Sequence, residues 1–155
     1  GRGRPAVTYT VAGELAIEGT LRRDALLVAL LEKTLALLGP DAAEAAAQEV
    51  GFTYGQSLAA STSSSEQSTS VQDAMAGMAG LLTAHGFATR FEADEVSASL
   101  VTDHCPFGSA PQHHPVLCAV DRGLVAGMLE GLGVNSSRVT LSSKARGDDD
   151  CRVTA

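Results

Sequence analysis

The sequence predicts an α+β domain: an antiparallel sheet of about four strands covered by helices, in the order ααα-ββ-α-ββ, behind a lone N-terminal strand. Three observations predict it. Before residue 86 the apolar residues recur at helical spacing in three segments separated by turn residues. After it come two short alternating runs, Phe87 to Glu92 and Val96 to Val101, and a second such pair, Arg138 to Ser143 and Cys151 to Thr154, around Lys-Ala-Arg-Gly-Asp-Asp-Asp. Trp is absent, aromatics are only 4%, and Ala is abundant, so the core must be built of small and aliphatic residues, which suits closely packed helices.

The lone strand is Val7 to Val11, behind an opening rich in Gly and Arg. The first helix is expected over Leu21 to Leu38, where Leu27, Leu31, Leu35 and Leu38 share a face, and Gly39-Pro40 stops it. It is apolar over more than half its circumference, more than one small domain can cover, and we expect it to pack against its equivalent in a second chain as a homodimer. The second helix runs from about Asp41 to Ala60, with Ala46, Val50, Tyr54 and Leu58 at steps of four, and with Gly51 and Gly55 on one side inviting a close neighbour. Ser61 to Ser70 has nothing to bury and reads as a loop. A third helix from Val71 to His85 ends at Gly86, and a fourth is expected from about His114, with Pro115 in its first turn, to Gly133.

With 155 residues, 45% of them hydrophobic, the chain fits one compact domain. No apolar run approaches the roughly 20 residues that span a bilayer, and no signal-peptide pattern opens the sequence, so a cytoplasmic protein is expected. A net charge of -7 opposes nucleic-acid binding by this chain alone.

The chemically informative stretch is Asp103 to Cys118, which gathers two of the three cysteines and three of the four histidines. If Cys118 lies in a helix four residues after His114, the two share a face and both can reach one ion. Cys151 opens the last strand, and tertiary folding can bring it to the same place. Soft thiolates with an imidazole suit zinc or an iron–sulfur cluster. The expected metal ligands are therefore Cys105, His114, Cys118 and Cys151, with His113 and His104 as substitutes for His114. The competing reading leaves each cysteine as a small hydrophobe. A catalytic arrangement of Cys105 with His104 or His113, oriented by Asp103 or Asp121, lacks any nucleophile elbow or phosphate loop, and no enzyme is expected.

The opening Gly-Arg-Gly-Arg-Pro-Ala-Val-Thr-Tyr-Thr-Val resembles the wing of winged helix-turn-helix transcriptional regulators of the ArsR/DeoR type. Cys105-Pro106-Phe107 through His114-Pro115 to Cys118 is similar to the sensor region of the iron–sulfur-responsive repressors of the suf operon. The resemblance implies that residues 1–12 are the remnant of a wing, with Arg2 and Arg4 facing DNA, and that 13–155 form a sensor and dimerisation domain. It implies DNA binding through a winged-helix domain preceding Gly1, and an iron–sulfur cluster on Cys105, Cys118 and Cys151, with zinc as the alternative. A regulator that binds a small apolar effector between its helices, its cysteines structural or inert, is the second expectation.

Overall fold

The computed structural model describes residues 14–61 and 70–155, with side chains from residue 25 onward. The expected wing strand, Arg2, Arg4 and the expected domain boundary after residue 12 lie outside the described residues. The chain divides into two compact units, Gly1–Leu37 and Leu38–Ala155.

The first unit contains helix α1, Glu14–Ala36, which begins earlier than the leucine pattern alone suggests. Its leucines face outward: Leu26, Leu27 and Leu30 are each at least 60% exposed, while Leu35 is buried.

The second unit is the α+β domain. Helix α2 spans Pro40–Ser61 and α3 spans Val71–Ala84. Strands β1, Thr89–Ala93, and β2, Ala98–Thr102, form a hairpin. Then follow a single turn, α4, Ala110–His113, a 3-10 turn Pro115–Cys118, helix α5, Ala119–Gly131, and strands β3, Thr140–Ser142, and β4, Arg152–Thr154. The fold class is as expected: one antiparallel sheet in the order β1-β2-β4-β3.

Local chemistry explains the element ends. Ser70 Oγ accepts a hydrogen bond from the Asp73 amide at the start of α3. Gly86, at φ +89°, ends that helix as the sequence leads one to expect. In the hairpin, Asp94 Oδ1 accepts from the amides of Val96 and Ser97, both at 2.8 Å, and this moves the turn one residue later than the expected Ala-Asp-Glu.

The sheet rests on α3 under β1 and β2 and on α5 under β3 and β4, and α2 packs on the far side of α5. Helix α5 is thus a middle layer, and Leu124, Val125, Met128 and Leu129 are all buried, joining Met75, Met78, Leu82, Leu100 and Val153 in one core. Each such large side chain contributes about 1.5 to 3 kcal/mol by leaving water.

Helix α2 meets α5 by the side that Gly51 and Gly55 mark, as their shared side leads one to expect, while Val50 and Tyr54 of the expected step-of-four face lie outside the contact. Ala43, Ala47, Gly51, Gly55, Leu58 and Ala59 are buried, whereas Val50 and Tyr54 are exposed. The glycines decide this. A Cβ added at Gly51 would fall on the Val120 carbonyl oxygen, at Gly55 on that of Leu124, at Gly123 on that of Gln48 and at Gly127 on that of Phe52. The two helices touch backbone to backbone along a seam that no side chain larger than hydrogen could enter.

Candidate functional site: a corner of three thiols

All three cysteines are free thiols, and they converge on the corner where the sheet meets the start of α5. Cys105 leaves β2 in the sequence Cys-Pro-Phe-Gly. Its carbonyl accepts from the Gly108 amide at 3.0 Å, and its sulfur is the acceptor of the Phe107 N–H. Gly108 closes that turn at φ +58°, a conformation that favours glycine. An amide aimed at sulfur favours the thiolate, which is the ligand form.

Cys118 ends the 3-10 turn, buried, with its sulfur 3.0 Å from Ser143 Oγ. Ser143 is itself fixed: its amide donates to Asp148 Oδ2 at 2.7 Å and its hydroxyl accepts from the Ala145 amide. Cys151 precedes β4, and its carbonyl accepts from the Thr102 amide at 2.9 Å, which sets it across the ladder from the residues leading to Cys105.

The electrostatics record the convergence. Burial raises the Cys105 thiol above its ordinary range, against the Phe107 amide, and the negative charges of Asp121, Cys118 and Cys151 push it further the same way. Burial likewise raises Cys118; Ser143 opposes this, Asp121 and Cys151 add to it, and the Arg146 guanidinium lowers it. Asp121, in the first turn of α5, is largely surrounded by protein atoms although part of the residue reaches the surface, and that burial pushes its carboxyl up to about 6.

Around this corner the charged groups tie elements together. Arg122 of α5 donates to Glu44 and Gln48 of α2, and Arg146 pairs with the other oxygen of Glu44 at 3.3 Å. Glu44 therefore joins α2 to both α5 and the turn that carries Ser143.

The expected ligands are distributed unevenly. Cys105, Cys118 and Cys151 lie near enough for their charges to act on one another, but not at the spacing of ligands to one ion. His104 and His113 are exposed. The spacing argument for His114 fails, because the expected helix from 114 to 133 is broken into a turn, a 3-10 segment and α5. His114 sits at the break, at φ -132° and ψ 75°, so it and Cys118 are not one α-helical turn apart. Pro115 is the cause: it has no amide to continue a helix and it disfavours helical backbone at the residue before it. Sequence reasoning considers Asp121 only as an orienting group in a catalytic arrangement that it sets aside, and misses its nearness to Cys105 and Cys118, for which its position three residues after Cys118 is the available signal. Ser143 and Arg146 carry no signal at all, since they reach Cys118 only through the tertiary fold.

Among the described residues no group of three His, Cys, Asp or Glu side chains stands at the spacing that encloses a metal ion. The donor chemistry suits a soft cation, but the corner is a gathering of ligands and not a closed cage.

Comparison with known proteins bears on what this corner belongs to. The family model described as methanogen output domain 1 matches residues 42–155, nearly the whole of the second unit. The chain belongs to that family. No curated protein matches the sequence. Among solved structures it is similar to trafficking protein particle complex subunit 3 from Naegleria fowleri, a protein covalently bound to palmitic acid, at 15% identity and a TM-score of 0.51, covering 85% of this chain and 93% of that one. At that identity the likeness is one of fold.

Family membership corrects the resemblance to winged helix-turn-helix regulators and to the suf repressors. The motifs that carried it are local solutions: a Cys-Pro-Phe-Gly turn leaves a strand, and a proline opens a short helical turn that ends in cysteine. Such pieces recur wherever a strand must hand over to a helix. The DNA-contacting role of Arg2 and Arg4 and the iron–sulfur cluster rested on that resemblance and fall with it. As an output domain, the chain belongs to regulation and signalling. No helix among the described residues is long and apolar enough to cross a membrane.

Proposed function

We propose that this output domain is a metal-responsive regulatory module, non-catalytic, in which Cys105, Cys118 and Cys151 bind zinc as thiolates. The observation that carries the reading is the convergence of the chain's three thiols, from positions 13 and 33 residues apart in sequence, on one corner of the fold. Cys105 stands in the turn after β2 and Cys151 at the approach to β4, while Cys118 lies against Ser143. An ion held by the three sulfurs would brace residues 103–114 and the 143–148 turn. Through Arg146 and Glu44 that turn is tied to α2, which gives ion binding a route to a helix surface that a partner can read.

Zinc added to chelator-stripped protein under reducing conditions should bind one to one and protect all three thiols from alkylation. Replacing any one cysteine by alanine should abolish protection of the other two. Equal alkylation rates with and without zinc would overturn the reading. Burial raises Cys105 and Cys118, so the thiols lose protons on binding, and affinity should climb steeply as pH rises toward 9.

The exposed leucines of α1 support a homodimer, because a helix with Leu26, Leu27, Leu30 and Leu31 in water is poorly suited to a lone chain. Sedimentation at micromolar concentration should give twice the 15.8 kDa chain mass; a monomer there would refute it. An apolar effector has less support. The α2–α5 seam is shut by glycine, and the cavity of about 460 Å³ beyond the β1–β2 turn sets Gln72, Ser97, Asn135 and Arg138 beside Val71 and Val96, a mixed lining open to solvent. The acyl group of the trafficking subunit is a property of that protein, and nothing at the seam makes room for one here.

A further inference from the structure

β1 is an end strand of the sheet. Residues of an antiparallel ladder turn their backbone groups toward and away from the neighbouring strand in alternation. The Asp103 amide donates to the Ala88 carbonyl at 2.9 Å and the Asp94 amide to the Ser97 carbonyl at 3.0 Å, so Arg90 and Glu92 bond to β2, while the groups of Thr89, Phe91 and Ala93 point off the sheet. Thr83 Oγ1 takes up those of Thr89, donating to its carbonyl at 2.9 Å and accepting from its amide at 3.3 Å. Those of Phe91 and Ala93 have no partner among the described residues. We infer that this edge pairs with β1 of a second copy of the chain, antiparallel about a two-fold axis at Phe91, so that two sheets run on as one.

Register points to a second copy. An axis at Phe91 sets Arg90 opposite Glu92 of the other copy and Glu92 opposite its Arg90, on the solvent face and at the positions where facing side chains come closest. Every other axis within the strand is worse. At Arg90 or at Glu92 a charge meets its own copy, at Ala93 Glu92 meets Asp94, and at Thr89 the axis falls on groups that Thr83 already holds. Within one chain Arg90 bonds Glu92 and, through Nε, Asp103 at 3.3 Å, and Arg152 bonds the other oxygen of Glu92 at 2.8 Å. Pairing therefore exchanges one partner for another and strands no charge, and both side chains are exposed enough to make the exchange.

The helix beneath leaves the way open. Gln72 Nε2 donates to the Asp94 carbonyl at 3.1 Å and Thr83 bonds Thr89, so α3 follows this edge along the length of β1. On the helix face between Gln72 and Thr83 stand Ala76, Ala79 and Gly80, none larger than a methyl group. The other edge is less suited, since β3 has three residues and turns outward the backbone groups of Leu141 alone. With so few bonds to share, the contact at β1 is weak, and it joins chains, or the dimers formed through α1, at high concentration.

Sedimentation equilibrium of the full chain tests this. The wild-type mass should rise above its micromolar value as the protein approaches about 0.5 mM, the range of weak contacts. Arg90→Glu and Glu92→Arg should each weaken that association roughly tenfold or more, because like charges then face each other twice across the edge. An equal mixture of the two variants should regain it, since one copy then presents two carboxylates to two guanidiniums of the other. Ala93→Pro keeps the bonds to β2 but loses an outward amide, and should abolish the rise; thermal melting of each variant checks that it is folded. The micromolar mass belongs to α1 and should be the same in all of them, so a failure of the α1 dimer is read separately. A wild-type protein whose mass does not rise would overturn the inference and leave the edge to a strand of another protein. Single variants that associate like the wild type, or a mixture that fails to regain association, would overturn it as well.

Discussion

The α2–α5 seam and the thiol corner share one helix, with Cys118 and Gly123 only five residues apart, yet they hold the chain in opposite ways. At the seam, carbonyl oxygens of α2 occupy the space where side chains of α5 would begin, and the reverse, so nothing there can rotate or yield. At the corner, three polarisable sulfurs arrive on separate segments, one of which also carries the Asp121 carboxylate, close enough to feel one another but not at the spacing that encloses an ion. The difference teaches how one helix can be rigid and responsive: the seam fixes its axis, so that a change at its first turn is passed to the attached loops without disturbing the packing.

The sharpest way to break this contrast is to fill the seam. Gly123→Val should cost more than about 3 kcal/mol, because the obstruction is the backbone at Gln48 and overpacking cannot be relieved by a rotamer change. Loss of a cooperative thermal transition would be the readout, and a variant melting within a few degrees of wild type would show that the helices can separate.

Next in size is the corner's own cost in the metal-free protein. The folded carboxyl of Asp121, pushed up to about 6 from an ordinary 3.8, favours the protonated form. Its favourable contribution is complete below about pH 4 and is lost as pH rises through 6, after which a charged carboxylate stays buried at a cost. Asp121→Asn should therefore be more stable than wild type at pH 7.5 and lose that advantage at pH 4.5, by at most about 3 kcal/mol, with less expected because part of the residue reaches water. Urea midpoints of the two proteins at both pH values measure it, and an unchanged difference would remove the buried charge from the account.

Cys118→Ala in the metal-free protein should cost about 1 to 2 kcal/mol, since a small buried side chain goes while Ser143 keeps the Ala145 amide as a partner. A loss as large as that of Gly123→Val would mean that the corner is as rigid as the seam. The smallest effect sharpens the glycine argument. Gly80, inside α3, would meet nothing within 4 Å of an added Cβ, so Gly80→Ala should stabilise by about 0.5 to 1 kcal/mol through helix propensity alone.

Helix periodicity made most of the fold legible, because α1, α2 and α3 and the β1–β2 hairpin depend on local patterns. For α2 the sequence offers two sides, one of large residues including Val50 and Tyr54 and one marked by Gly51 and Gly55, and the close approach to α5 selects the glycines. The break at Pro115 was misread as a helix start twenty residues long. At the site, the three cysteines can be picked out as a set, but their neighbours cannot: His114 looks aligned with Cys118 only if the helix is continuous, and the burial of Asp121 comes from the tertiary fold. Ser143 reaches Cys118 across 25 residues of sequence, a distance that no local pattern encodes.

The strand order has a consequence for how the molecule is made. β4 lies between β2 and β3, so the last of the described strands to leave a ribosome is the one that joins the two halves of the sheet. Until residues 152–154 emerge, the hairpin of β1 and β2 presents an open edge and β3 has nothing to pair with. The core can begin to collapse around α3 and α5, but the register of Ser99 with Thr154 and of Leu100 with Val153 is decided last. Cys151 is delivered by the same late event, so the third thiol reaches the other two only when the sheet closes.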